Sequence, residues 1–340
     1  MPLRHLSDIA KKIIYYERGR DALWSALGLL GLTPGEVILV PAYLCPAVLQ
    51  PLKKRGLRVR FYRVQKDLSA DLTDLAGKIC PRTKAVLIIH YFGFPQPVSS
   101  IDRLCREHKL FLIEDCAHVL SSAVEGRPLG SFGDAAVFSF KKTLKSLPGR
   151  GAALLINRPT PACRESAERQ PVSSGANAER PQNFYPGLKN FILQYKTPRF
   201  LIDRIIRLTD FLRLNPRRRI KADYLERMKK SDLDAIVAEC RKNFTLLLGN
   251  LKGRQDLVPV FPALPEQVCP LGFPVFVENR DAVFRKLLNS GIEPFILWEF
   301  LPGEVSGCEF KDADYISRHI LIFPVAGFIN IRKICNGLSN

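Results

Sequence analysis

No run of about 18 consecutive apolar residues occurs in the sequence, so no segment reads as a membrane span. The amino terminus carries no apolar signal-peptide core, and the expected compartment is the cytoplasm, with no stable membrane insertion. Nine scattered cysteines are an odd number, with no CxxC pair and no histidine at metal spacing, which speaks against a disulfide framework, a zinc site or any other bound metal. Acids are also short: 33 Asp and Glu stand against 51 Lys and Arg, for a formal net charge of +18 and a pI of about 9.7. Such a surplus attracts nucleic acid, anionic lipid or a phosphorylated small molecule. No zinc finger or RNP-type aromatic motif accompanies it and the bases are spread along the chain, so nucleic acid is not expected as a partner.

What is present is enough for a sizeable core. With 340 residues, 46% hydrophobic and a mean hydropathy of -0.01, the chain reads as one large or two unequal domains, because single cores stop growing near ~250 to 300 residues.

Along the chain, residues Leu3 to Tyr16 read as a short basic helix. In the next segment Ala22, Leu23, Ala26, Leu27 and Leu30 recur at helical spacing behind an Arg18-Gly-Arg-Asp21 start. Free N–H groups at a helix start, with two arginines beside them, suit a phosphate. An ordinary amphipathic helix with a charged cap fits the same periodicity. Val37 to Val40, Val59 to Tyr62 and Ala85 to His90 read as strands. Helices are expected around Leu72 to Ile79 and Ser100 to His108. This alternation implies a largely parallel α/β sheet.

The densest stretch runs from Phe111 to Leu155. Phe111-Leu-Ile-Glu-Asp-Cys-Ala-His118 is a buried strand that breaks into acids and a histidine, and Ala135-Ala-Val-Phe-Ser139-Phe-Lys-Lys142 is another that ends in a hydroxyl and lysines. Ligands of open α/β sheets bind at such carboxyl ends. A lysine amine there can form a Schiff base with an aldehyde cofactor, and a carboxylate opposite a pyridine nitrogen keeps that ring protonated. These requirements describe pyridoxal 5'-phosphate. Residue types alone leave open a surface acid and a solvated basic turn.

Downstream, Arg158 to Gln182 is rich in Pro, Ser, Arg and Glu and reads as a mobile surface insertion. Phe200 to Leu214 reads as a basic amphipathic helix, Leu233 to about Leu251 as a long helix, and Phe273 to Val277, Asp281 to Asn289 and Phe295 to Trp298 as a strand-helix-strand unit. Ile320 to Val325 is expected as the last strand.

Five segments together resemble the DegT/StrS group of sugar aminotransferases, which are fold-type I pyridoxal-phosphate enzymes. They are Gly-Arg-Asp-Ala-Leu, Pro-Gly-Glu-Val-Ile-Leu-Val-Pro-Ala-Tyr, Glu-Asp-Cys-Ala-His, Gly-Arg-Pro-Leu-Gly-Ser-Phe-Gly-Asp-Ala-Ala-Val-Phe-Ser-Phe and Gly-Ile-Glu-Pro-Phe-Ile-Leu-Trp. The resemblance implies a large pyridoxal-phosphate domain over residues 1–230, with the insertion at 158–182, and a small carboxyl-terminal α/β domain over 231–340. It makes Asp115 the partner of the pyridine nitrogen and His118 a neighbour of the ring hydroxyl. Ser139 becomes a phosphate contact, and Arg20 with Asp21 the phosphate-binding turn. The family's stacking aromatic is replaced by Cys45, with Tyr43 or Tyr91 as substitutes. Many members carry the Schiff-base lysine five residues after the serine, where this chain has Leu144. A second pattern, Ser-x-x-Lys-x-Leu, selects Lys142, with Lys145 the other candidate. The implied reaction passes an amino group from an amino acid such as glutamate to a keto sugar, usually nucleotide-linked, in a homodimer. Alternatives are a sugar dehydratase on the same fold, which tends to carry histidine in place of the lysine, and a non-catalytic relative.

Overall fold

Seven strands form one central sheet in the order β1-β9-β8-β5-β4-β2-β3. The computed structural model describes residues 12–144, 147–158, 214–215, 218–305, 308–327 and 334. β1 is Lys12–Tyr16, β2 Val37–Pro41, β3 Arg58–Tyr62, β4 Thr83–Ile89 and β5 Phe111–Cys116. A short antiparallel pair, β6 (Ala123–Val124) and β7 (Arg127–Pro128), precedes β8 (Ala135–Ser139) and β9 (Ala152–Ile156). β2 and β9 are buried at every position, the mark of strands covered on both faces, which read in sequence as unbroken apolar runs. The pairs β3-β2, β2-β4, β4-β5 and β5-β8 are parallel, whereas β8-β9 and β9-β1 are antiparallel.

The sheet is wound outward in both directions from β2. The chain goes first to β3 at the edge and then returns to place β4 on the other side of β2. Such a reversal leaves a crevice outside the carboxyl ends of the strands on either side of it. Helix Gly19–Leu29 packs against β8 and β9, burying Ala22, Leu23, Ala26 and Leu27 at the spacing read from the sequence. Its amino end lies at the end of β8: a Cβ on Gly19 would stand 3.6 Å from Val137 Cγ1 and 3.7 Å from Ser139 Cβ.

Two expectations are corrected. The described part of Leu3 to Tyr16 is strand β1, not helix; its alternating apolar and aromatic residues pair in register with β9, from Lys12 opposite Ile156 to Tyr16 opposite Ala152. The segment Phe295 to Trp298 is not a strand either, since only Phe295 forms a bridge, to Ile322. Trp298 has φ of +53°, which breaks extended geometry. The expected insertion 158–182 beyond Arg158, and the expected helix 200–214 up to residue 213, lie outside the described residues.

A second sheet, β10 (Val258–Pro259), β11 (Gly272–Phe276) and β12 (Ile320–Pro324), is antiparallel throughout. Helix Leu233–Asn250 lies on β11, and Asn243 Nδ2 donates to the Val325 carbonyl at 2.9 Å. Helix Arg280–Asn289 is stopped by Gly291 at φ +70°. Between that helix and helix Lys311–His319, the chain reaches back to Tyr43, Lys53 and Lys78. Tyr43 Oη donates to Leu297 O at 2.7 Å, Lys53 pairs with Glu304, and Lys78 pairs with Glu309 at 2.6 Å.

Candidate active site

A cavity of about 230 Å³ opens at the carboxyl ends of β4, β5 and β8. Leu87, Ile113 and Val137, one from each strand, give it apolar lining, and Asp115 and Ser139 follow two residues later on β5 and β8. Side chains two apart on a strand share a face, so the apolar residue and the polar one beyond it necessarily address the same space.

Asp115 is aimed by its neighbour. Glu114, on the opposite face, accepts the backbone N–H groups of Gly130, Phe132 and Gly133 at 2.7 to 2.8 Å and meets His90 Nε2 at 2.9 Å. His90 Nδ1 in turn accepts Gln96 N–H at 3.1 Å. Although Glu114, His90 and Cys116 bring three ligand-type atoms within 4.8 Å, these bonds occupy the carboxylate and the imidazole, and the cluster acts as a brace. What Asp115 exposes faces the cavity. Burial pushes its carboxyl above the ordinary carboxylate range, while Lys142, when charged, and the Ala117 N–H at 2.9 Å pull it back. A buried acid with one oxygen engaged locally is suited to a protonated ring nitrogen.

The cavity lining is also cationic. Arg18, Arg20, Lys141 and Arg150 line it with Ser139 and Gly19 at the amino end of helix Gly19–Leu29. Burial lowers the Lys141 amine below its ordinary value, and Arg150, Arg18 and Arg20 lower it further. Arg18 is lowered by burial as well, against the pull of Glu17. Among the described residues, no carboxylate forms a salt bridge to Lys141 or Arg150. A cation cluster that depresses its own lysine is a seat for an anion. The Gly149-Arg150-Gly151 turn is fixed sterically: a Cβ on Gly149 would lie 2.6 Å from Tyr224 Cδ2, and one on Gly151 2.7 Å from both Ile220 Cδ1 and Tyr224 Cε1. Glycine lets helix Ala222–Lys230 close over the turn and aim Arg150 inward.

Lys142 follows Lys141 in the single helical turn Phe140–Thr143. Successive helical positions diverge by about 100°, and the two amines part accordingly. Lys142 Nζ lies 3.1 Å from His118 Nε2, and His118 Nδ1 accepts the Phe92 N–H at 3.2 Å. Leu144, at the position of the commoner lysine pattern, is buried, and Lys145 lies outside the described residues.

Of the residues named from sequence, Arg20, Cys45, Asp115, Ser139 and Lys142 line the one cavity. His118 is buried beside it and reaches it through Lys142. Three others face elsewhere. Asp21, adjacent to Arg20 on the helix, turns into the core, where its Oδ1 accepts Asn215 N–H at 2.9 Å; burial raises its carboxyl to about 6. Tyr43 does not line the cavity: its ring packs against Trp298 and Tyr91, at centroid distances of 5.0 and 5.7 Å. Tyr91 is likewise turned inward, its hydroxyl donating to Tyr43 O. Cys45 caps helix Pro46–Lys54 and lies in the wall with Ala47 and Val48. Sequence reasoning missed Trp298, whose indole stacks on His118 at 5.3 Å and 19°; its only signal was membership of the Gly291 to Trp298 segment.

Comparison with known proteins accords with this geometry. Residues 8–172 match the model of the DegT/DnrJ/EryC1/StrS aminotransferase family. A GDP-perosamine synthase of Vibrio cholerae is 36% identical over 142 residues, 41% of this chain and 38% of that protein. A dTDP-4-dehydro-2,3,6-trideoxy-D-glucose 4-aminotransferase of Saccharopolyspora spinosa is 35% identical over 161 residues, 47% and 42% of the two chains. The chain thus spans about two fifths of the length of these curated relatives. The crystal structure of the aminotransferase TlmJ from Streptoalloteichus hindustanus superposes with a TM-score of 0.74 over 99% of this chain and 89% of that one, at 20% identity, and so shares the fold-type I α/β fold. Every residue lining the cavity falls within the segment that matches the DegT/DnrJ/EryC1/StrS aminotransferase family model, residues 8–172 of 340.

Proposed function

We propose that the protein is a pyridoxal-phosphate-dependent aminotransferase that moves an amino group from an amino acid, with glutamate the first candidate, to a keto sugar carried on a nucleotide. The observation that carries this reading is the presence of Asp115, Lys142 and a four-cation anion seat in the lining of one cavity. The donor set fits the cofactor: a buried carboxylate for its ring nitrogen, an amine for its aldehyde, and Ser139, Arg20 and Lys141 beside a helix amino end for its phosphate.

When bound, the cofactor supplies an electron sink for the carbon that loses or gains the amine. The chain's own residues do the rest. Asp115 holds a proton on the ring nitrogen, and its burial makes that contact stronger than it is in water. Lys142 would be the residue that holds the cofactor's aldehyde, and its Nζ, when free, would accept and return a proton. Ser139 and the cations would hold the phosphate and so orient the cofactor in the cavity. Cys45, Ala47 and Val48 flank the space where an aromatic ring would lie. The presence of Lys142 weighs against the dehydratase alternative, whose members tend to carry histidine there.

The names of the relatives support the acceptor class, since both act on or make nucleotide-linked sugars by name, and the basic cavity lining suits a diphosphate. A homodimer and a division into a large domain to residue 230 and a small one from 231 complete the reading. The test is to purify the protein with pyridoxal phosphate and assay nucleotide-linked keto sugars with glutamate. Yellow protein and amino-sugar product support the proposal. Colourless protein that takes up no cofactor refutes it in favour of a non-catalytic relative.

A further inference from the structure

Five non-glycine residues have left-handed backbone among the described residues: Leu68, Phe92, Lys109, Glu125 and Trp298. Bulky side chains are rare in that region, and such strain persists only where the surroundings enforce it. Two of the five, Phe92 at φ +55° and Trp298 at φ +53°, come from opposite ends of the chain and both pack on His118. The Phe92 ring lies 5.6 Å from the imidazole at 36°, and the Trp298 indole 5.3 Å from it at 19°. Trp298 is itself anchored by the Tyr43 hydroxyl, which donates to Leu297 O, and by edge contacts to the Tyr43 and Tyr91 rings. The Lys142 amine stands 5.6 Å from the indole centroid.

The strained turn at Phe92 does one further thing. Its backbone N–H donates to His118 Nδ1, so that nitrogen presents a lone pair and the ring proton belongs on Nε2. Nε2 faces Lys142 Nζ at 3.1 Å. An ammonium could donate to Nε2 only if Nδ1 carried the ring proton, and the Phe92 N–H occupies that side. We infer that Phe92 and Trp298 form a clamp that holds His118 in its Nε2–H tautomer, with Nε2–H donating to the lone pair of the Lys142 amine. His118 and Trp298 are therefore positioning residues: they fix where the Lys142 amine stands at the cavity wall, and Trp298 makes that position depend on the segment that leads from the second sheet. The assignment rests on the reading of Lys142 as the reactive amine.

Selective 15N-histidine labelling of the cofactor-free protein tests it directly, since the chain has only five histidines and His118 is assigned by its loss in His118→Asn. The wild-type protein is expected to show the neutral Nε2–H pattern. Trp298→Ala should convert it to a mixture of tautomers. Tyr43→Phe, which removes only the hydroxyl that holds Leu297, should shift the same resonances in the same direction, and it serves if the first variant folds poorly. An imidazolium or Nδ1–H pattern in the wild type overturns the inference, as do resonances that neither variant moves. Because the tautomer is read without cofactor, a colourless protein would sink the proposed activity and leave this measurement standing on its own.

Discussion

Asp21 offers a prediction whose sign and size both follow from its surroundings. Its side chain is buried in the first turn of helix Gly19–Leu29, one oxygen accepts the Asn215 N–H, and the other has no hydrogen-bond partner among the described residues. Burial raises its carboxyl from the ordinary 3.8 to about 6, against the pull of the Asn215 N–H, Arg18 and Arg20. A folded state that holds the proton more tightly than the unfolded chain gains stability that is complete below about pH 4 and lost as pH rises through about 6. The shift converts to at most ~3 kcal/mol at about 1.4 kcal/mol per pH unit. The arginines and solvent at the helix start screen the charge, so about 1 to 2 kcal/mol is the working figure. Asp21→Asn keeps the acceptor for Asn215 and removes the ionisation. Relative to wild type, it should be about equally stable near pH 4 and more stable by that amount at pH 7.5. In thermal melts this is a rise of a few degrees, at roughly 2 °C per kcal/mol for a chain of this size. The difference between the two proteins is the quantity to follow, because other carboxylates titrate in both. A constant difference across pH, or a wild type that is the more stable protein at pH 7.5, would show that Asp21 works there as a paired anion and refute the burial argument.

Three further outcomes are expected. Gly151→Ala drives a Cβ to 2.7 Å from Ile220 and Tyr224; overpacking of this kind costs about 1 to 3 kcal/mol, so calorimetry should show a lower melting temperature and titration a weaker hold on pyridoxal phosphate as Arg150 is displaced. An unchanged variant would mean that the glycine turn is not what aims Arg150. Lys141→Met should weaken pyridoxal phosphate binding by about 10- to 150-fold, the range for one charge-assisted hydrogen bond, and leave the binding of unphosphorylated pyridoxal nearly as it was; equal losses for both ligands would place Lys141 outside the phosphate seat. Affinity for an anionic sugar nucleotide should fall as salt rises, since arginine-phosphate attraction is screened, and salt-independent binding would remove charge as the reason for recognition.

The parts of this molecule that were legible in sequence are those set by local periodicity. The helix behind Arg18 was readable because Ala22, Leu23, Ala26 and Leu27 repeat at its own pitch, and β2, β5 and β8 because buried strands are unbroken apolar runs. Asp115, Ser139 and Lys142 were legible because the end of such a run marks the ligand side of the sheet. What stayed hidden depends on direction or on distant contacts. Arg20 and Asp21 are neighbours in sequence, yet the helix sends one to the cavity and the other to the core. β1 is too short to distinguish strand from helix until β9 supplies its partner. Tyr43 is drawn away from the cavity by a carbonyl 254 residues later, and Trp298 acquires its role only through His118, far from it in the chain.

The central claim is that Asp115, Lys142 and the cation seat form one cofactor site with a single reactive amine. Borohydride reduction of the protein saturated with pyridoxal phosphate, followed by peptide mapping, tests it most directly. The account predicts a yellow protein that bleaches on reduction and a phosphopyridoxyl adduct on Lys142, absent from Lys142→Ala although that variant still binds the cofactor through Asp115 and Ser139. A colourless protein with no adduct on Lys141, Lys142 or Lys145 would contradict it.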